Sequence, residues 1–209
     1  MGSHYVILAD IIGSRDIEDR RVFRESLTNA LDTVNDQFAS AMGVPFEPIK
    51  GIDEFGGVLT DLAPIYELVQ VVLHAIHPVE ARIVVATGGI DVGHFDAGIG
   101  SLDGPAFHRA DELLTTLSDE DLYFGMDTGQ PADALVATTV NLLMMILRDR
   151  TSRQIEVVEA YEAHGTQTAA AADLDVPQQS ISQTLQRAEY KRTKLIRAQF
   201  MSAITDIYE

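Results

Sequence analysis

The chain has 209 residues, 46% of them hydrophobic, with no Cys and no Trp, and 32 Asp and Glu against 15 Lys and Arg give a formal net charge of −17. Enough apolar side chains are present for one or two cored domains, which excludes wholesale disorder, and the lack of Cys excludes a disulfide scaffold, a thiolate metal centre and a cysteine nucleophile. The acid excess argues against nucleic-acid binding through phosphate, which needs clustered Lys and Arg.

In chain order, residues 5–12 form a continuous apolar run broken only by Asp10 and followed by Gly13, the pattern of a buried strand with a carboxylate near its C-terminal end. Phe23, Leu27, Ala30, Leu31, Val34 and Phe38 recur at helical spacing, with Gly43 expected to close that helix. Residues 44–50 and 54–59 read as short strands joined in a hairpin through Gly51, Ile52 and Asp53. Pro64 opens a second helix faced by Ile65, Leu68, Val69, Val72 and Ile76, Pro78 stops it, and residues 82–87 are another apolar strand. Strand, helix, strand, strand, helix, strand is the ferredoxin-like βαββαβ order, so an α+β sheet domain is expected. A Gly-rich stretch, a helix over 105–117, a short strand over 122–124 and an apolar helix over 132–147 follow. The apolar run 134–147 is too short to span a bilayer. Met1-Gly2-Ser3-His4 lacks the basic and apolar regions of a secretory leader, so a cytoplasmic location with no membrane partner is expected.

Composition changes at Arg148-Asp149-Arg150-Thr151-Ser152-Arg153, the expected boundary between a domain over 1–147 and a helical domain over 148–209. The first holds seven basic and 23 acidic side chains, net −16, and the second holds eight and nine, net −1. Within 178–197, Arg187, Lys191, Arg192, Lys194 and Arg197 face only Glu189, net +4. Helical patterns run over 153–164, 166–174 and 177–187. Because no Gly or Pro occurs from 178 to 209, the remainder is either one long helix or two with a break that composition does not place. Residues 166–187 have the form of a helix-turn-helix: a small-residue helix, the turn Asp175-Val176-Pro177, and a second helix pinned by Ile181 and Leu185. Its outward Gln178, Gln179, Ser180, Ser182, Gln183 and Gln186 are types that read base edges, and Arg187, Lys191, Arg192 and Lys194 suit phosphate. DNA is therefore an expected partner. The alternative is a helical bundle that packs on the first domain or mediates dimerisation.

Asp10 and Asp53 would meet where the hairpin lies beside the first strand. Two such carboxylates can hold Mg or Mn on a nucleotide triphosphate, whose phosphates complete the shell. Gly13, Ser14 and Arg15 could supply donors to those phosphates, and His108 and Arg109 are further candidates for phosphate contact. The alternative is structural, with Asp10 ending a strand and capping the next turn and Asp53 an ordinary hairpin residue.

Ala9-Asp10-Ile11-Ile12-Gly13-Ser14-Arg15, Gly51-Ile52-Asp53-Glu54-Phe55-Gly56-Gly57 and Gly100-Ser101-Leu102-Asp103-Gly104-Pro105-Ala106-Phe107 together resemble the SatD family. The N-terminal part of that family is similar to class III nucleotide cyclase and GGDEF domains, and its C-terminal part carries a helix-turn-helix. The resemblance covers nearly the whole chain and implies that Asp10 and Asp53 hold metal. Several positions depart from the cyclase pattern. Ile52 stands where Gly precedes the hairpin aspartate, Ile49 where a Lys is expected with Lys50 one position off, His108 at the Asn position and Glu112 at the Arg position. A Glu there would repel the charge that builds on a transferred phosphate. Cyclisation is therefore not expected. The resemblance instead implies a regulator whose first domain senses a metal or nucleotide or forms a homodimer. A metal-dependent nucleotide-processing enzyme with structural C-terminal helices is the other reading. Three Lys in all, and 19 Asp against 13 Glu, also resemble the composition of proteins from salt-loving archaea.

Overall fold

Tyr5–Ile11 (β1) buries Val6 and Leu8 toward one face and Ile7, Ala9 and Ile11 toward the other, so this strand belongs inside a sheet covered on both sides. In the computed structural model, which describes residues 4–208, β1 is the central strand of five. Met1, Gly2 and Ser3, on which the expectation about a leader partly rests, lie outside the described residues. Arg20–Gln37 (α1) leads to the hairpin Met42–Pro48 (β2) and Glu54–Leu59 (β3), followed by Ile65–Ile76 (α2) and Ala81–Thr87 (β4). The sheet order is β2-β3-β1-β4-β5, antiparallel throughout except that Phe124–Asp127 (β5) runs parallel to β4 after the crossover helix Pro105–Glu120 (α3). The protein is thus mixed α and β, with a five-stranded mixed sheet and, among the described residues, eight α-helices. None of those helices is long and apolar enough to cross a membrane.

α3 covers one face of the sheet, where Ala106, Phe107, Ala110 and Leu117 pack with Val6, Leu8, Val84 and Ala86. Gly88 makes that approach possible: a Cβ there would lie 2.8 Å from the backbone nitrogen of Ala106. α1 packs against α2 and β2.

Three expectations need correction here. Gly43 does not close α1; the helix ends at Gln37, a short 3-10 turn over Ala39–Ala41 follows, and Gly43 lies inside β2. α3 runs three residues beyond Leu117 and stops at Asp121, which takes a left-handed φ of 54°. That overrun moves β5 to Phe124–Asp127, later than 122–124.

Asp133–Arg148 (α4) guards the edge of the sheet beyond β5. The Asn141 side chain accepts from the backbone N–H of Tyr123 (2.9 Å) and Phe124 (3.1 Å) and donates to the carbonyls of Phe124 (2.7 Å) and Ala137 (2.8 Å). Asp133, also buried, accepts from the N–H and hydroxyl of Thr128 and, at 2.7 Å, from the hydroxyl of Tyr208. Burial and the Asp133 carboxylate push the Tyr208 hydroxyl well above its ordinary pKa, so it remains a donor in alkaline solution.

Two compact units result. One comprises the chain up to Asn141 together with the residues from Ile204 onward, and the other is Leu142–Ala203. The division between these two units falls within α4, where Asn141 is engaged with β5. The second unit holds Ser152–His164 (α5), Gln167–Asp173 (α6), Gln178–Arg187 (α7) and the greater part of Tyr190–Tyr208 (α8). Thr151 and Gln154 form a reciprocal capping box at the start of α5. Val157, Val158, Ala170, Ala171, Ile181 and Leu185 make the core of this unit. The break between α7 and α8 is at Ala188 and Glu189, where Glu189 adopts a left-handed φ of 51°. The carbonyl of Ala188 accepts two bonds from the Arg150 guanidinium (3.2 and 3.1 Å), which also donates to Thr193 (3.0 Å). Arg150, placed by composition in a linker, instead holds the α7–α8 corner.

Candidate functional site

Asp10 sits near the end of β1, directly opposite Glu54 on β3 and Arg82 on β4. The backbone N–H of Ile11 donates to the Asp53 carbonyl at 2.8 Å, which fastens the hairpin beside that strand end. Gly51 takes a φ of +65° in the hairpin turn and Ile52 turns inward, 5% exposed. The left-handed position has thus moved one residue earlier than a Gly just before Asp53 would place it, which explains how Ile52 is accommodated.

Around the two aspartates, cations and carboxylates alternate. Arg82 lies 3.8 Å from Asp10, and Arg20 lies 3.5 Å from Asp53 while donating to the Ser14 carbonyl at 2.8 Å. Lys50 is 2.8 Å from Glu54. Burial raises the Asp10 carboxyl above its ordinary value, Arg82 opposes this, and the charges of Glu54 and Asp53 add to the rise. Asp111 on α3 is raised likewise by burial and by Glu54. The helix facing this edge therefore presents Asp111 toward Glu54 and Lys50. Among the described residues, no three His, Asp or Glu side chains converge closely enough to hold a metal ion by themselves. Asp10 and Asp53 are hard oxygen donors of the kind Mg or Mn takes, and phosphate or water oxygens would have to complete the shell.

The remaining candidates of this domain divide. Gly13, with a φ of 65°, caps the 3-10 turn Ser14–Asp16 next to β1, and Arg15 in that turn is exposed. Ser14 is joined to Asp53 through Arg20. His108 pairs with Asp103 at 3.3 Å and contributes to the field at Asp111. Arg109 donates to the Thr87 carbonyl at 3.1 Å, and Thr87 is paired with Tyr5, at the opposite end of β1 from Asp10. Five residue steps of strand separate the two, about 17 Å. Arg109 therefore ties α3 to the end of β4 and is not brought to the Asp10 edge. Sequence reasoning missed Arg20, Arg82, Glu54 and Asp111, all of which reach the site through cross-strand register or helix placement.

The second candidate surface lies wholly in the helical unit. Gln178, Gln179, Ser180, Gln183, Gln186 and Arg187 of α7 are exposed, Ser182 is half-buried, and Ile181 and Leu185 fill the core behind them. Val176 N–H donates to the Ala171 carbonyl at 3.0 Å across the α6–α7 turn, where Asp175 takes a left-handed φ of 49°. Gln178 donates to the Gln167 side chain, joining the starts of α6 and α7. Beyond the corner, Lys191, Arg192 and Lys194 are exposed. Arg192 shares the Glu189 carboxylate (3.1 Å), and Lys194 donates to the Tyr190 hydroxyl at 3.0 Å while lying over its ring. An open groove of about 610 Å³ runs between Tyr161, Gln167, Ser182, Gln186, Lys191 and Lys194.

Compared with models of known protein families, residues 4–198 match the SatD family. No curated protein matches the chain.

Proposed function

The chain belongs to the SatD family, and from that premise we propose that it is a DNA-binding regulator, its N-terminal domain sensing a metal or nucleotide and its C-terminal helices reading the duplex. The carrying observation is the exposed face of α7. Gln178, Gln179, Ser180, Gln183 and Gln186 lie outward on a helix fixed from behind by Ile181 and Leu185, and Arg187, Lys191, Arg192 and Lys194 follow it in a stretch of net +4 within an acidic chain. In the helix-turn-helix reading, α7 enters the major groove and the cations flank it on phosphate. The order β2-β3-β1-β4 supports a ferredoxin-like, cyclase-like sheet, with β5 added at its edge. A homodimer would present two α7 helices to paired half-sites. A cytoplasmic location and a halophilic source belong to the same reading. Selection of duplexes from a random pool by the full-length protein is expected to enrich a common motif. Gln179→Ala with Gln183→Ala should abolish enrichment while leaving weak, salt-sensitive binding; a pool that stays random refutes the proposal.

At the first domain, Asp10 and Asp53 would hold Mg or Mn, with Arg20 and Arg82 giving way or turning to the phosphates of a nucleotide. Glu112 in place of a charge-neutralising arginine, with Asp111 beside it, favours sensing over phosphoryl chemistry. In metal-free buffer Asp10→Asn is expected to be at least as stable as the wild type at pH 7. The raised native carboxyl withholds stability as pH climbs above the ordinary value of 3.8, so the advantage of the variant should vanish below it. Thermal melts at acid and neutral pH check this. Calorimetry with Mn²⁺ should show binding to the wild type and none to Asp10→Asn; equal heats would remove Asp10 from the site.

A further inference from the structure

The groove beside α7 has a chemistry that base reading does not use. It lies wholly within the helical unit, and its volume of about 610 Å³ falls in the range of a small-molecule site. One part of its lining is aromatic. Tyr190, buried, and Tyr161, half-buried, meet edge to face with ring centroids 5.3 Å apart and an interplanar angle of 86°. Another part is cationic. Arg192 is taken by the Glu189 carboxylate, which leaves Lys191 and Lys194, among the described residues, with no carboxylate in salt-bridge range. Lys194 is also held in place, since it donates to the Tyr190 hydroxyl at 3.0 Å with Nζ 5.4 Å from the ring centroid. An ammonium has three donors, so the remainder are available to an acceptor. Fixing the side chain in advance lowers the ordering cost that a ligand would otherwise have to offset. Ser182 and Gln186, four residues apart on one flank of α7, add a hydroxyl and an amide.

We propose that this groove binds a small molecule that joins a flat ring to an anionic group, a phosphate or a carboxylate. The tyrosines take the ring and the two uncommitted ammonium groups take the charge. A duplex is a poor occupant, because its paired bases stay stacked and it would offer the groove only phosphates, leaving the aromatic lining unused. Gln186 and Lys191 belong both to the groove and to the face that the DNA reading assigns to the duplex, so an occupied groove excludes DNA from α7 and the ligand acts as a release signal. That consequence rests on the DNA reading, whereas ligand binding is measured without DNA, so the two can fail separately.

Calorimetry on the full chain in EDTA, which keeps metal from Asp10 and Asp53, is expected to show a single site with a dissociation constant below about 1 mM for adenosine monophosphate or for indole-3-acetate. Whichever binds identifies the anion as phosphate or carboxylate. Adenosine, a ring without the charge, and inorganic phosphate, a charge without the ring, should each bind at least about tenfold more weakly. Lys194→Met and, independently, Lys191→Gln should each weaken binding about tenfold, with unchanged circular dichroism because both side chains are exposed. Asp10→Asn should leave binding as it is, which separates this site from the one in the first unit. Saturating ligand should displace a labelled duplex, and ligand and duplex bound together would overturn the exclusion. A chain that binds neither probe, or binds one equally well after both lysine substitutions, overturns the proposal.

Discussion

Replacing Lys191 and Arg192 together by alanine is expected to weaken duplex binding about 60-fold at 0.1 M salt and to lower the slope of log K against log salt concentration by about 1.8. Both residues are exposed at the start of α8, immediately after the corner where Glu189 reverses the chain and Arg150 holds the Ala188 carbonyl. A rigid corner fixes where their charges stand relative to the outward face of α7. The loss should be uniform across sequences, because phosphate contacts carry no base information. Glu189 gives a control of opposite sign. Its carboxylate is shared with Arg192, so Glu189→Gln should release that guanidinium and strengthen binding. In concentrated salt both effects should shrink, since counterion release then contributes little, and the amides of α7 would carry a larger share of the affinity. Anisotropy titrations of a labelled duplex at several salt concentrations decide it; an unchanged slope takes these residues out of the interface.

How far the sequence could be read depended on whether each signal was local. β1, α1, the β2–β3 hairpin, α2 and β4 were legible because apolar periodicity and Gly or Pro marks lie within the elements themselves. Besides the end of α1, the ends that escaped are reversals made by acidic residues. Asp121, Asp175 and Glu189 all take left-handed φ without a glycine to announce it. Only Asp175 fell inside an expected turn; the end of α3 and the α7–α8 break passed unmarked. The candidate site divides in the same way. Asp10 and Asp53 stand out as a strand end and a hairpin residue, whereas Arg82 reaches Asp10 only through the register of β1 with β4, and Arg20 reaches Asp53 from a helix 33 residues away. Arg109, adjacent to His108 in sequence, goes to the opposite end of β1 because α3 must pack along the sheet.

Asn141 interrupts an apolar run and looks incidental in the sequence, yet Asn141→Ala is expected to destabilise the first unit by about 3 kcal/mol, lowering its melting temperature by about 6 to 12 °C. One buried amide serves four backbone groups here, three of them on Tyr123 and Phe124, which are 7% and 1% exposed. Alanine would take the Asn141 amide away from those buried N–H and C=O groups, a cost set by lost solvation more than by the bonds themselves. Asn141→Asp sharpens the attribution. It keeps the acceptor facing the Tyr123 and Phe124 amides but sets a carboxylate oxygen against the carbonyls of Phe124 and Ala137, so it should be no better than alanine at neutral pH and should recover partly in acid as the carboxyl protonates. Because the chain has two compact units, a single global unfolding midpoint could average over both. Hydrogen exchange at the Phe124 amide reports on the β5 edge directly and should accelerate by about two orders of magnitude if about 3 kcal/mol is lost there. A loss below about 1 kcal/mol would mean that water replaces the amide at this edge, and that α4 is held to the sheet by Asp133 and its apolar face without Asn141.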